Sequence, residues 1–241
     1  MTATTISHPL APARTARANE LATKRHVAGA YLRNRSPQLM LATLAVVLVA
    51  RLLTGGWGIA DLIVVGVVIL INGTFEWMVH RFLLHAPEGS IRMRVLGTSV
   101  GHRKHHLDPA DMRHLMLRPI EVVQFVPMLA AIAAAASLPL LWITGSPMLA
   151  PYLTALVAAF IGLAHYEWTH LLVHARYRPT SRYYARLSRN HRLHHHRNEN
   201  YWLAAQHRSA VPRSRGFNSY LRADRVRHPL STLDDTDSLL H

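Results

Sequence analysis

The chain carries one histidine device twice, and this duplication restricts what it can fold into more than any other feature. Gly101-His-Arg-Lys-His-His106 and His191-Arg-Leu-His-His195 pair His102 with His191, His105 with His194 and His106 with His195, each pair 89 residues apart, and His85 pairs with His174 at the same interval. A related segment precedes each triplet. Phe75-Glu-Trp-Met-Val-His80 leads to His85, and Tyr166-Glu-Trp-Thr-His170 leads to His174, with the second copy two residues shorter between Glu and the final His. A repeat of this kind is built from units that complete one structure together. Each half is expected to supply five imidazoles to a shared site.

The spacing says how. Positions i, i+3 and i+4 lie on one face of a helix, so His102, His105 and His106 can aim at one point, as can His191, His194 and His195. His170 and His174 also share a face. His80 and His85 are five apart, which suits a helix end or a local distortion better than a regular helix. Neutral imidazole is the commonest metal ligand, and nitrogen-rich sites suit iron, copper, zinc or nickel. A structural zinc is saturated by four ligands; ten ring nitrogens exceed one ion's capacity, so two metals with room for exogenous ligands are expected. The chain has no cysteine, which removes thiolate sites and iron–sulfur clusters. A pair of irons fits an all-histidine, thiolate-free site.

Long apolar runs separate the histidine segments. Half of the 241 residues are apolar and only 17% are charged, and the apolar residues gather in runs long enough to span a bilayer. The expected fold is all-α: four transmembrane helices over about residues 37–54, 58–79, 120–143 and 148–168, in two hairpins, under a cytoplasmic histidine-rich helical cap. Arg51, near the end of the first run, is expected to snorkel to the interface. Residues 1–36, polar and Ala-, Thr- and Arg-rich, read as a flexible cytoplasmic tail. Residues 37–202 form the membrane domain, and 203–241 form a basic, poorly ordered tail. Lys and Arg concentrate in the tails and the middle segment rather than in the two hairpin turns, which places both termini and the histidines in the cytoplasm. Two spans separate the copies, so they share an orientation, as in a pseudo-two-fold about the membrane normal. Arginine dominates and lysine occurs only at Lys24 and Lys104, pointing to a G+C-rich bacterial genome and a bacterial cytoplasmic membrane.

Two functions are set aside. The net charge of +14 suits nucleic acid in magnitude, but no recognition helix or zinc finger accompanies it. His165-Tyr-Glu-Trp-Thr-His170 lacks the His-Glu-x-x-His spacing of zinc proteases. Glu76 and Glu167 precede the first histidine of each copy by four and three residues, and are candidates to orient ligand imidazoles by accepting the second ring N–H; His165 and His196 are supporting candidates of the same kind. Trp77 and Trp168 suit an interfacial aromatic belt. His8, His26, His114, His207, His228 and His241 read as ordinary surface or packing residues.

From about Pro37 to Trp202 the chain resembles the fatty acid hydroxylase and sterol desaturase superfamily. The resemblance rests on four clusters in order: His80-Arg-Phe-Leu-Leu-His85, His102-Arg-Lys-His-His106, His170-Leu-Leu-Val-His174 and His191-Arg-Leu-His-His195. It implies a membrane di-iron oxygenase that hydroxylates or desaturates a lipid C–H bond with O2 and two electrons from a separate donor, such as a ferredoxin or a cytochrome with its reductase. The metal ligands would be His80, His85, His102, His105, His106, His170, His174, His191, His194 and His195. A fatty acyl chain is the expected substrate. The alternatives are a sterol desaturase or carotenoid hydroxylase of the same superfamily, or a metal-binding membrane protein without turnover. The chain departs from the family after Trp202, where an Asn-x-Gly element and a later Asp before Gly-Thr are usual and neither occurs.

Overall fold

The computed structural model describes residues 16–91, 97–144 and 148–196; the expected basic tail, 203–241, lies outside them. The described chain is helical. In order it forms a 3-10 turn at Ala18–Glu20, α1 at Lys24–Arg33, α2 at Arg35–Thr54, α3 at Ile59–Val79, α4 at Thr98–Leu107, α5 at Met112–Leu115, α6 at Pro119–Thr144, α7 at Leu149–His174 and α8 at Arg182–His196. A single π-helical turn, His80–Leu84, continues α3.

Four helices, α2, α3, α6 and α7, are long and apolar enough to cross a membrane. The chain is an integral membrane protein with two helical hairpins, as the sequence leads one to expect. Few of their side chains are buried against one another, and Leu53, Leu70, Trp142 and Ile143 are among the large apolar groups left facing outward. Lipid is the solvent that accepts such a surface. Where the helices meet, small residues alternate with larger ones: Ala60, Ala133 and Ala155 pack with Val64, Val68 and Leu140, and Ala159 packs with Leu129 and Phe160. Close backbone approach is the usual basis of helix association in lipid, because burying apolar surface gains little there. Helix α7 is the hub and packs against α2, α3 and α6. Pro127 and Pro139 sit inside α6, which membrane helices tolerate when neighbours satisfy the freed carbonyls.

The first hairpin turns at Gly55 and Gly56, whose φ values of 65° and 61° lie in the left-handed region that glycine enters without a side-chain penalty. Asp61 accepts from the Gly58 N–H at 2.9 Å and so closes the start of α3. The same carboxylate takes the Arg51 guanidinium at 2.8 Å. Arg51 does not snorkel: its side chain is 1% exposed. It donates to Thr154 Oγ1 at 2.6 Å and to the Gly55 carbonyl at 2.6 Å, and it lies 3.6 Å from the centre of the Trp57 ring. Thr154 in turn donates to Asp61. An aspartate ten residues away, brought close by the tight turn, competes successfully with the interface for the charge.

The histidine end of the bundle carries the cap. From Ala16 onward, the segment expected as a flexible tail is ordered. Arg17 makes a two-pronged pair with Asp108, at 2.8 and 3.0 Å. The Ala18 N–H donates to the Ala110 carbonyl at 2.8 Å, and the Tyr177 N–H donates to Leu21 at 2.9 Å. Thr23 caps α1 by accepting from the His26 N–H at 3.1 Å, and α1 then buries Val27 and Tyr31 against Leu115, Met116, Leu171 and Leu172. The apolar residues of this segment are too few to show as a run but are spaced at i and i+4, so one face finds a core. Trp168 belongs to this packing rather than to an interfacial belt, with its ring edge-on to Tyr31 at 5.6 Å. The Tyr31 hydroxyl donates to the Ala164 carbonyl at 2.9 Å. Tyr31→Phe removes that bond and keeps the ring, so it should lower stability by about 1 kcal/mol, read as a small fall in the thermal midpoint of detergent-solubilised protein with metal content unchanged.

Candidate metal centre

All ten histidines of the repeat come together, at the junction of α3, α4, α7 and α8. They sort into two groups of five, His80, His85, His102, His106 and His194 in one and His105, His170, His174, His191 and His195 in the other, with the ligand nitrogens of each group within 4.8 Å of one another. The division does not follow the repeat. Each group takes four histidines from its own copy and one from the other, and the two that cross over, His105 and His194, occupy equivalent positions in their His-x-x-His-His triplets. Both are buried, His105 completely.

Local structure accounts for the convergence. Helix α4 presents His102 and His106 to the first group and His105 to the second, and α8 presents His194 to the first and His191 and His195 to the second, because adjacent residues of a helix diverge by about 100°. His170 and His174 lie one regular turn apart on α7. In the first copy the interval is five, and the π-helical turn absorbs the extra residue: the His85 N–H donates to the His80 carbonyl at 3.1 Å. The hydrogen bond from residue i+5 to residue i that defines this geometry brings rings five residues apart onto one face, with the two centroids 5.0 Å apart. The local distortion anticipated between His80 and His85 is this turn.

The ring nitrogens point inward. In the first group, His194 Nε2 lies 2.8 Å from His80 Nε2, 3.2 Å from His85 and 3.1 Å from His106. His102 Nε2 lies 3.1 Å from both His85 and His106. In the second group, His191 Nε2 stands 2.6 Å from His174 and 2.9 Å from His195, and His170 stands 3.1 Å from His105. A neutral imidazole has one N–H, so it can satisfy one such contact and must meet the others lone pair to lone pair. A cation shared by the rings removes the conflict. Ligands about 2.1 Å from one ion and at right angles are about 3 Å apart, while ligands on opposite sides are about 4 Å apart. The observed separations fit this pattern, and the donor set fits a borderline metal such as iron or zinc. The two groups abut, with His106 and His195 stacked at 4.1 Å between centroids.

Burial keeps the rings neutral. It is the first cause holding His85 down to about 3 and His195 down to about 2, with Arg81 and His194 respectively as the next influence. His102, His105, His106 and His191 are held well below the ordinary imidazole value, by burial first and by neighbouring imidazoles second. Unprotonated nitrogen is the form that binds metal.

The supporting residues expected from the sequence are engaged elsewhere. Glu167 accepts from the Leu117 N–H at 2.8 Å and from Ser36 Oγ at 3.4 Å, tying α2 and the link that leads into α6 to α7. Glu76 accepts from Asn72 Nδ2 at 2.7 Å. Among the described residues neither carboxylate bonds to a histidine of the two groups. His170 is held instead by the backbone of Leu115, and among the described residues the buried Nδ1 atoms of His80, His105 and His191 have no partner, so packing positions those rings. His165 belongs to neither group. Its ring lies near Tyr183 and Tyr184 at 6.0 and 6.3 Å, and its Nε2 is 3.4 Å from Thr169 Oγ1. His196 is exposed beside His195.

An apolar recess between α3, α6 and α7 reaches the first group. Val68, Phe125, Leu129 and Leu163 are among its walls, His80 closes one end, and Asn72, Glu76 and Tyr166 are its polar members. A second, more polar cleft meets it at Leu84, Leu117 and Tyr166, and extends past His102 and His170 to Arg113 and Arg118. Both arginines there are already paired, with Asp111 and Glu121. Asn72, Tyr166 and both cavities were not singled out from the sequence, although an asparagine within an apolar run is a visible signal.

The fold and the histidine array suit a membrane hydroxylase or desaturase of the histidine-cluster type. The sequence model of the fatty acid hydroxylase family matches residues 65–209, more than half of the chain, and the chain belongs to that family. The match takes in all ten histidines and runs past Trp202. No curated protein and no solved structure matches the chain.

Proposed function

We propose that the protein is a di-iron oxygenase of the membrane that hydroxylates a lipid, with a fatty acyl chain as the substrate class. The observation that carries this reading is the pair of five-imidazole groups, the first of which closes one end of an apolar recess between the spans through His80. Two iron ions held by the ten histidines would supply the reduction of O2 and the cleavage of the C–H bond. In balance, one C–H bond, one O2, two electrons and two protons give one C–OH and one water. The protein's own part is to fix five nitrogens around each ion, to hold them unprotonated, and to present one carbon of a greasy substrate beside His80 while apolar walls exclude water.

The cap and both termini face the cytoplasm in this reading, because the basic segments lie at that end. Arg182, Arg186 and Arg189 are exposed on the side of α8 opposite His191, by helical spacing. They suit an acidic electron carrier, such as a ferredoxin or a cytochrome, that docks one helix away from the ligands.

The test is metal analysis of purified protein followed by lipid mass spectrometry of cells with and without it. Iron near two per chain and a new hydroxylated lipid are expected. One zinc per chain with an unchanged lipidome would refute the reading.

A further inference from the structure

Apart from His80 and Tyr166, the polar groups that line the recess stand at one place, and that place is built. Asn72 lies one helical turn before Glu76 on α3, and its amide nitrogen donates to Glu76 Oε1 at 2.7 Å. The other side of the Asn72 amide presses on α7 at Gly162, where a Cβ would collide with Asn72 Oδ1. A glycine on α7 thus makes room for the amide, and the amide orients the carboxyl. Among the described residues, Glu76 Oε2 is left shut off from solvent with no hydrogen-bond partner, in the lining of the recess that ends at His80.

An unpaired carboxyl oxygen in an apolar wall costs free energy unless a partner arrives. Hydrocarbon cannot provide one. A substrate hydroxyl can serve either form of the carboxyl, since it both donates and accepts, whereas a substrate carboxylate would be repelled by the ionised form. Glu76 and His80 are one helical turn apart, a rise of roughly 6 Å, with Glu76 on the side away from the cap.

We infer that Asn72 and Glu76, seated by Gly162, form a substrate-binding anchor for a lipid that carries a neutral hydroxyl on its hydrocarbon skeleton. The inference rests on the reading of the site as a lipid hydroxylase, and it narrows the substrate class. The hydroxyl bonds to Glu76 Oε2 and sets the carbon about one helical turn nearer the cap beside His80. A site built to pair with a hydroxyl rejects the analogue that lacks it, because its own polar group is then stranded. The anchor therefore selects both the substrate and the position oxidised.

The experiment compares binding of tetradecanol and tetradecane to the purified full chain in detergent, by native mass spectrometry, so that no turnover is required. The preference for the alcohol is taken relative to Glu76→Leu, which cancels the difference in micelle partition. Wild type should exceed Glu76→Leu in that preference by about tenfold, and Glu76→Gln, which keeps an acceptor and a donor, should retain most of it. Gly162→Ala displaces Asn72 and should reduce the preference without touching Glu76, which keeps the test decisive should Glu76→Leu not fold. Equal preference in wild type, Glu76→Leu and Gly162→Ala would overturn the anchor. That result together with two irons and a hydroxylated product would leave the hydroxylase reading intact; an alcohol preference without iron or product would do the reverse.

Discussion

Alanine at His194 should abolish turnover and empty the ion site made by His80, His85, His102 and His106, although those four residues all belong to the other half of the repeat. His194 Nε2 is within 3.2 Å of His80, His85 and His106 and is the only member of that group from α8. Loss of groups that merely support a metal ligand already costs 10- to 100-fold in affinity or activity, so loss of a ligand should cost more than about 100-fold. His105→Ala should do the same to the site of His170, His174, His191 and His195. Pairing variants shows which site each serves. Adding His80→Ala to His194→Ala should remove no further metal, whereas adding His191→Ala should remove the second ion, since residues of one site are not additive and residues of separate sites are. Elemental analysis of the purified variants reads this directly. Should His194→Ala and His191→Ala behave as one site, the crossover is wrong. His8→Ala and His241→Ala are the controls, expected to keep both metal and turnover.

Arg51→Ala should be the most destabilising change away from the histidines, at about 3–5 kcal/mol, because removing one member of a buried ion pair strands the other. The stranded group is Asp61, whose remaining partners are Thr154 and the Gly58 N–H. Asp61→Ala should cost a similar amount. The double replacement Arg51→Met with Asp61→Leu should recover most of the loss, as apolar substitutes for a buried pair often do. Thermal or denaturant unfolding in detergent measures all three. If the single replacements fell within about 0.5 kcal/mol of wild type, as exposed pairs do, Arg51 would be reaching solvent or headgroups after all.

Much of this architecture is legible in the residues. The apolar runs fix the four spans, and the 89-residue interval identifies eight of the ten histidines, with His80 and His170 marked by the related Glu-Trp segments that carry them. The crossover is not legible. Sequence spacing gives the face that His105 and His194 share with their neighbours, but which of two abutting groups each ring joins depends on how α4 and α8 pack. The first 36 residues show the converse difficulty: Val27 and Tyr31 find a core only because Leu115, Met116, Leu171 and Leu172 are brought to them from far along the chain. Arg51 was misplaced for the same reason, as Asp61 becomes its partner only once the Gly55-Gly56 turn has folded. Glu76 and Glu167 have the right offset to support imidazoles, yet the one oxygen of each that is bonded among the described residues, Oε1, is taken by Asn72 in one case and by Ser36 with Leu117 in the other. For Asn72 the clue was present as a lone amide in an apolar run; for the Leu117 backbone no sequence signal exists.

Because α4 and α8 each contribute to both groups, the two ion sites share their failure modes. Opening α8 alone withdraws His194 from one group and His191 and His195 from the other, so local unfolding of that single helix would weaken the hold on an ion at either. An ion bound at either would hold α8 in place and thereby help preserve the other site. The two sites would then stay separate in their ligands while sharing one helix, so that an ion at either would slow the loss of the other without making their occupancies one.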